Sequence, residues 1–175
     1  MILQAFISLM LCAFAQQTDA EKFARVLEEH RVELQFTYEL HQQKGRGQSG
    51  EGTLVYQDNC LRFESGGVVL LSDGNSIYTL QPLSREIIVE PAKDISAHTP
   101  DQLLEAFGLN PKKADIQIQY DRNGLPSVIL AKIKNQGSLL IQVKKAQLLP
   151  KKAVSGEFTP DLSAFDSSWV ITDLR

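Results

Sequence analysis

Residues 32–40 read VELQFTYEL, and this stretch decides the fold. Its apolar and polar side chains alternate strictly, with Leu34, Phe36, Tyr38 and Leu40 at the even positions and Glu33, Gln35, Thr37 and Glu39 at the odd ones. A period of two is typical of a β-strand that buries one face and leaves the other in water. Antiparallel sheets commonly have such faces. The stretch therefore predicts one strand of an antiparallel sheet.

Shorter runs of the same kind follow along the chain, separated by turn residues such as Asp73-Gly74, a strong hairpin signal. We predict further strands at 52–57, 60–64, 68–71, 76–80, 86–90, 116–120, 128–134, 139–144 and 169–171. Two short amphipathic helices are predicted, one at 19–29 behind the capping box that starts at Thr18, and one at 99–107 with Gly108 as its stop. A helical turn is expected near 161–163.

These elements predict a mainly β (α+β) fold, in which a curled antiparallel sheet forms an unclosed β-barrel under a short helical lid. The predicted inner face carries Leu34, Phe36, Tyr38, Leu54, Tyr56, Leu61, Phe63, Leu71, Ile77, Ile116, Ile118, Ile129, Ile133 and Ile141. The predicted lid residues are Phe23, Val26 and Leu27 in the first helix and Leu103, Leu104 and Phe107 in the second. The pattern leaves two alternatives open, an ordinary filled core and a ligand cavity.

The first fifteen residues, MILQAFISLMLCAFA, differ in character from the rest because Gln4 and Ser8 are their only polar residues. They resemble a secretory signal peptide that is cleaved after Ala15, which leaves one domain at 16–175 and predicts an exported protein. A buried N-terminal element and a lipoprotein signal around Cys12 are the alternatives, and the large Leu11 fits the latter poorly. Cleavage would leave one cysteine, Cys60, which we expect to be a core thiol.

Composition excludes several function classes. Eighteen Lys and Arg face 21 Asp and Glu in 175 residues, so a nucleic-acid-binding protein is not expected. The GxGxxG string at 45–50 is followed by a strand rather than a helix, so it predicts a loop and not a dinucleotide site. The three histidines lack metal-ligand spacing. We expect no catalytic residues, no metal and no cofactor.

The order of these elements resembles the LolA family of periplasmic lipoprotein carriers. The strings that carry the resemblance are LQFTYE at 34–39, GTLVY at 52–56, LRF at 61–63, LSDGNSIY at 71–78 and REIIV at 85–89. The ending from Phe158 to Arg175 resembles the LolA-like branch of Bacteroides-type bacteria. The similarity spans most of the chain after residue 15.

The resemblance implies a monomeric, non-enzymatic carrier whose apolar cavity receives the acyl chains of lipoproteins. Its partners would be an inner-membrane lipoprotein-releasing transporter and an outer-membrane acceptor. The sequence departs from the family in two respects. Residues 55–59 lack the Arg-Pro pair whose arginine helps to lock the lid, and the segment between Phe107 and Ile116 is short, as if a strand or two of the usual barrel were missing. The alternatives are a carrier of another lipid and a structural or interaction domain of the same fold with a filled interior.

Overall fold

The computed structural model describes residues 19–43, 47–92, 114–133, 137–154 and 156–175. In this part of the chain a ten-stranded sheet is accompanied by one α-helix, α1 (Asp19–Glu29), and a 3-10 turn at Leu162–Ala164. The strands are β1 (Arg31–Gln42), β2 (Gln48–Gln57), β3 (Cys60–Ser65), β4 (Val68–Ser72), β5 (Ser76–Gln81), β6 (Glu86–Pro91), β7 (Ala114–Tyr120), β8 (Pro126–Ile133), β9 (Gly137–Leu149) and β10 (Val170–Asp173).

The strand order across the sheet is β10-β6-β5-β4-β3-β2-β1-β9-β8-β7. All pairs are antiparallel except β10 with β6, which is parallel. The long strand β1 lies inside the sheet between β2 and β9, so it joins the two meanders β2–β6 and β7–β9. Because β7 and β10 are opposite ends of the order, the sheet is not closed. This confirms the predicted mainly β, unclosed architecture.

Most predicted elements are found near their expected positions, and the helix at 19–29 has its predicted bounds. Strand β9 is the main difference, since it runs from Gly137 to Leu149 and not from 139 to 144. A register shift between Gln35 and Phe36 of β1 leaves Lys144 as an extra residue, so the alternation in β9 changes phase. The predicted signal peptide at 1–15 and the predicted helix at 99–107 lie outside the described residues.

The two faces of the sheet bury separate apolar clusters. The inner face is the side that carries Leu34, Phe63 and Ile141, and α1 packs on it. The outer face is the opposite side, where Leu71, Tyr78, Ile87 and Val89 form a smaller cluster. Strands β4–β6 are therefore apolar on both sides, whereas β1 keeps Glu33, Gln35, Thr37 and Glu39 on its outer face.

The outer cluster is covered by the segment formed by residues 150–154 and 156–169, which we call the strap. Leu162, Phe165 and Trp169 of the strap pack on this cluster, and the Phe165 and Trp169 rings meet edge to face with centroids 4.7 Å apart. At its start, the buried Gln57 amide donates to the Lys152 carbonyl at 2.5 Å and accepts from the Lys152 N–H at 3.0 Å. Lys151 also pairs with Asp58.

Arg31 anchors the middle of the strap to β1. Its guanidinium is buried and donates two hydrogen bonds to the Glu157 carboxylate, at 2.8 and 2.6 Å, and one to Glu33 at 2.7 Å. It also lies over the ring of the buried Phe158, 5.9 Å from the centroid. The planar fork of arginine suits this two-point recognition of a carboxylate. The strap is thus attached through a residue of the first strand.

The Glu157 attachment predicts a pH-dependent contribution to stability. The hydrogen bonds from Arg31 hold the pKa of Glu157 below its ordinary value of 4.5. A carboxylate whose folded pKa is lowered stabilises the fold above its unfolded pKa, and the contribution disappears as the pH falls through the lower, folded value. Because about a third of the Glu157 side chain is exposed, we expect Glu157→Gln to lower the free energy of unfolding by only about 1 kcal/mol at pH 7.

Urea unfolding of both proteins at several pH values measures this effect. The difference between wild type and Glu157→Gln should be constant above pH about 5 and should shrink as the pH falls through and below 4.5. Glu28→Gln, an exposed substitution in α1, is the matched control, and its effect on the free energy of unfolding at pH 7 should be smaller. A Glu157→Gln difference that is unchanged at low pH would contradict the assigned contact.

Candidate functional site

The inner face of the sheet is the candidate site, because it forms one continuous apolar surface across several strands. The registers place side chains in rows that cross the sheet, for example Leu34, Leu54, Phe63 and Leu70 across β1 to β4. A second row crosses the other half, with Tyr38, Ile141, Ile129 and Ile118 on β1, β9, β8 and β7. Side chains in one row share one face.

The inner face consists of a fully buried floor and a partly buried rim. The floor comprises the predicted site residues Leu34, Phe36, Leu54, Leu61, Phe63, Ile129 and Ile141, none of which is more than 7% exposed. The rim comprises residues that pack against the floor and keep part of their surface accessible: Tyr38, Tyr56, Val68, Ile77, Ile116, Ile118, Tyr120 and Val143. Within the floor, the Phe36 and Phe63 rings stack with centroids 5.7 Å apart.

One predicted site residue lies elsewhere. Leu71 is buried on the outer face, beside Tyr78 and under the strap, so its assignment to the inner face is wrong. Its neighbour Leu70 takes the inner position next to Phe63. Residues 68–71 are all apolar because both faces of β4 are covered. The sequence of this strand therefore does not alternate, and it does not show which residues point to the inner face. The side chain of Ile133 lies outside the described residues.

Sequence reasoning also missed several inner-face residues, namely Val32, Leu40, Leu70, Leu125, Ala131 and Leu139. Val32 and Leu40 have the same even phase as Leu34 in β1, so the alternation that found Leu34 could have found them too. Leu139 and Ala131 face each other across β9 and β8, next to Leu40. Leu125 follows the tight turn at Gly124, outside any run of alternating residues, so its position could not be predicted from periodicity.

Two glycines of β2 allow the aromatic residues of β1 to lie against the backbone. Gly50 pairs with Tyr38 and Gly52 with Phe36. A Cβ at Gly50 would come within 2.8 Å of the Tyr38 ring, and a Cβ at Gly52 within 2.5 Å of the Phe36 ring. Glycine inside a strand commonly marks such a close approach. These positions let two rings occupy the space that side chains of β2 would otherwise fill.

Helix α1 covers part of the inner face, as predicted for the first lid element. Phe23 and Leu27 are 4% and 8% exposed and belong to the floor cluster, and Val26 packs against it. The helix also reaches the β7–β8 turn, where a Cβ at Gly124 would lie 3.4 Å from Lys22 Cβ. The predicted lid residues Leu103, Leu104 and Phe107 lie outside the described residues.

The chemistry of the inner face is that of apolar contact. Burial raises the pKa of the rim residue Tyr56, whose hydroxyl donates to the Asn59 side chain at 3.0 Å. Burial also raises the pKa of the Cys60 thiol, which is 4% exposed, so Cys60 is the core thiol that the sequence predicted. Among the described residues, no three His, Cys, Asp or Glu side chains converge as metal ligands would.

An open groove of about 620 Å³ lies at the end of the sheet where the β3–β4 turn meets β1 and β2. Its lining is mixed, with Gln35, Thr37, Thr53, Glu64 and Lys144 among the polar members and Phe36, Val68, Val69 and Pro82 among the apolar ones. Most of the polar members belong to the outer face. Because Phe36 of the floor and Val68 of the rim also line it, this groove borders the inner apolar face.

In the described part of the chain, no helix is both long enough and apolar enough to cross a membrane.

Comparison with known proteins gives structural neighbours and no sequence relatives. No family model matches the chain, and no curated protein matches it. An uncharacterized conserved protein from Thermus thermophilus has a similar fold, with a TM-score of 0.57 at 6% identity over 90% of this chain and 98% of that one. A LolA superfamily protein from Nitrosomonas europaea is also similar, with a TM-score of 0.49 at 10% identity over 83% of this chain and 97% of that one.

Proposed function

We propose that this protein is an exported, non-enzymatic carrier that binds acyl chains on the inner apolar face of its half-barrel. The observation that supports the proposal most directly is the rim, a band of apolar side chains that remains partly accessible around a buried floor. Ligand pockets are typically concave and lined mainly by apolar side chains. A rim of Tyr, Ile and Val residues therefore offers the contacts that a flexible hydrocarbon chain needs.

The energetics of α1 are compatible with a lid. An isolated helix of 11 residues is marginal in water. The helix is retained mainly by Phe23 and Leu27, whose burial contributes about 1.5–3 kcal/mol each. Each CH₂ group of an acyl chain contributes about 0.8 kcal/mol on burial, so about eight such groups would offset the cost of displacing both side chains. Displacement of α1 by a fatty acyl chain is thus energetically feasible.

Within this proposal, the cargo is a lipoprotein that travels through the periplasm from an inner-membrane transporter to an outer-membrane acceptor. The strings at 34–39, 52–56, 61–63 and 71–78 and the C-terminal ending support this assignment through their resemblance to the LolA family and its Bacteroides-type branch. The lid would differ from the family pattern because 55–59 has no Arg-Pro pair. Arg31 is not a substitute, since it binds Glu157 and Glu33 on the outer face.

A second candidate function is a structural or interaction domain with a filled interior, or a carrier of another lipid. The complete burial of Ile129 and Ile141 favours a filled interior, because floor residues of this kind leave no surface for a ligand. The two candidates differ in what the rim does, since only a carrier needs the rim to be reachable from solvent.

Binding of a fluorescent fatty acyl probe to delipidated protein, in detergent-free buffer, separates these candidates. We expect saturable binding to wild type and at least a tenfold loss of affinity in Ile118→Asp, because a charge on the rim must be desolvated when an acyl chain packs against it. Val154→Asp is the matched control, since Val154 is 54% exposed and lies outside the inner-face cluster. Its affinity should equal that of wild type.

The variants must keep their fold for the comparison to be valid. Ile118 was chosen because β7 lies at the edge of the sheet, where a charge on the rim should lower the stability least. Thermal unfolding followed by circular dichroism provides this check. Absence of saturable probe binding in the folded wild type would exclude the acyl-carrier proposal and favour the filled domain. Co-purification of acylated proteins, rather than free lipid, with the exported wild type would distinguish lipoprotein cargo from another lipid.

A further inference from the structure

The inner face changes character from one end of the sheet to the other. The row that contains Phe63 and Leu70 continues through Thr79 on β5 and Ile88 on β6 to Thr172 on β10. Val170 lies on the same face of β10 as Thr172 and is 57% exposed, so this end of the face is open to solvent. The inner face is therefore mixed in polarity over β5, β6 and β10.

The opposite end of the inner face is apolar. Strand β7 presents Ile116, Ile118 and Tyr120 to it, and all three pack against the floor. The next two strands, β8 and β9, contribute Ile129 and Ile141 to the floor itself. A ligand that is polar at one end and apolar at the other thus meets a face with the same division.

The charges of the inner face are also confined to one strand. Within the described part of the chain, Glu86 and Glu90 are the only charged residues that the ten strands place on this face. Each lies two positions from Ile88 on β6, so the two carboxylates are about 13 Å apart along the strand. Lys144, at the bulge of β9, is held by Gln142 of the outer face.

Neither of these carboxylates is neutralised by a partner in the described part of the chain. No hydrogen bond or ion pair joins the Glu86 or Glu90 side chain to another described residue, whereas Glu33 and Glu157, for example, bind Arg31. Glu86 is exposed, and Glu90 is half-buried opposite the rim residue Ile77. A group that lies over the β6 end of the inner face therefore meets two negative charges.

We propose that the β5, β6 and β10 end of the inner face holds the polar head of the acyl ligand, and that Glu86 and Glu90 select against a negatively charged head. This inference rests on the proposed function and adds the orientation of the ligand and the chemistry of its head. The hydrocarbon would lie over the rim towards β7, where a polar head would lose its hydration without gaining hydrogen bonds. The head would lie near Thr79 and Thr172, whose hydroxyl groups can hydrogen-bond to it.

The charge of the head then decides which acylated molecules are accepted. A carboxylate or phosphate head would be repelled by both glutamates, because like charges closer than about 8 Å are only partly screened at physiological ionic strength. An ammonium head would be attracted. A head joined to the acyl chain by an amide is uncharged at the linkage and would not be repelled. An acyl chain linked to a polypeptide is of this kind, which agrees with the lipoprotein cargo proposed above.

Fluorescent probes with the same acyl chain and an amide, ammonium or carboxylate head test the selection. Glu86→Gln with Glu90→Gln should tighten binding of the carboxylate probe at least about fivefold, weaken binding of the ammonium probe, and change that of the amide probe by less than about twofold. Glu39→Gln with Glu51→Gln is the matched control, because it removes two exposed carboxylates from the outer face. Its affinities should equal those of wild type.

Cross-linking with a probe that carries a thiol-reactive group tests the orientation. In a chain carrying Cys12→Ala, a group attached at the head should modify Thr172→Cys at least about fivefold faster than Ile118→Cys, because binding holds the two reactants together. A group attached at the end of the acyl chain should give the reverse order. Each rate is divided by that of a small reagent with the same reactive group. Cys60 is buried and is not expected to react.

The outcomes separate this proposal from the proposed function. Saturable binding with the same head preference in wild type and in Glu86→Gln with Glu90→Gln, or the same cross-linking order for both probes, would overturn the head-group proposal and leave the acyl carrier standing. Absence of binding of every probe would overturn both. A measurement on wild type alone gives a second test, since added salt should tighten binding of the carboxylate probe relative to the amide probe. A ratio that does not change with salt would also contradict the proposal.

Discussion

Replacing Phe63 with alanine is expected to lower the free energy of unfolding by about 3–5 kcal/mol, the range found for large aromatic residues removed from well-packed cores. Phe63 is 1% exposed, and its ring stacks on Phe36. Leu54 and Leu70 flank it on the neighbouring strands. The substitution would leave a cavity at the centre of the floor, where strands on both sides restrict relaxation.

Urea unfolding followed by far-ultraviolet circular dichroism measures this loss. Leu83→Ala is the control, because Leu83 is almost fully exposed and its truncation should change the unfolding free energy by less than about 0.5 kcal/mol. A loss below about 1 kcal/mol for Phe63→Ala would show that the floor is loosely packed. In that case the floor itself, and not only the rim, would have room for a ligand.

Replacing Gly52 with alanine should have the second large effect, a loss of about 1–3 kcal/mol of unfolding free energy or more. The new Cβ would lie 2.5 Å from Phe36 Cζ and 2.6 Å from the Glu64 carbonyl oxygen. The Phe36 ring could move only by disturbing its stack on Phe63, and the carbonyl belongs to the backbone of β3. Both obstacles are therefore held by the surrounding sheet.

The same unfolding measurement tests Gly52→Ala. Gly156→Ala is the matched control, because the nearest atom to its Cβ would be the Thr159 carbonyl oxygen at an ordinary distance of 3.9 Å. Its stability should be unchanged or slightly increased, since alanine restricts the unfolded chain more than glycine does. If both variants were equally stable, the close approach of the Phe36 ring to β2 would be contradicted. The double variant Gly52→Ala with Phe36→Leu should recover part of the loss, since the ring that blocks the new methyl group is then absent.

The elements that could be predicted from sequence are those with one buried face and one face in water. Strand β1 alternates strictly because its inner face meets the floor and its outer face meets water, and the helix at 19–29 was predicted with its bounds because its cap and apolar stripe are both local. Strand β4 shows where this reasoning ends. The strap covers the outer face of β4, so residues 68–71 are all apolar. Their pattern therefore could not show which face of the sheet Leu71 occupies.

The strap contacts could not be predicted because they join residues far apart in the chain. Arg31 and Glu157 are 126 positions apart, and neither carries a local pattern that marks it as a partner of the other. The bulge at Lys144 had no signal either, because it arises from the register between β1 and β9. The division of the inner face into floor and rim depends on the curvature of the whole sheet. The alternation in the sequence identified the residues of the inner face, but it could not show which of them are fully buried and which remain partly exposed.

The position of β1 between β2 and β9 sets the order in which the protein can be completed. A chain that emerges with its N-terminus first presents β1 early, and β2 to β6 can add to it by successive hairpins. The other side of β1 stays unpaired until residues 137–149 are available, and the Arg31 guanidinium lacks its bidentate partner until Glu157 follows. Such distant contacts favour slow folding. A chain interrupted before residue 137 would present the unpaired edge of β1, with its apolar inner side, to other strands. The first strand of the chain is thus paired on both sides only when the final quarter of the chain is present.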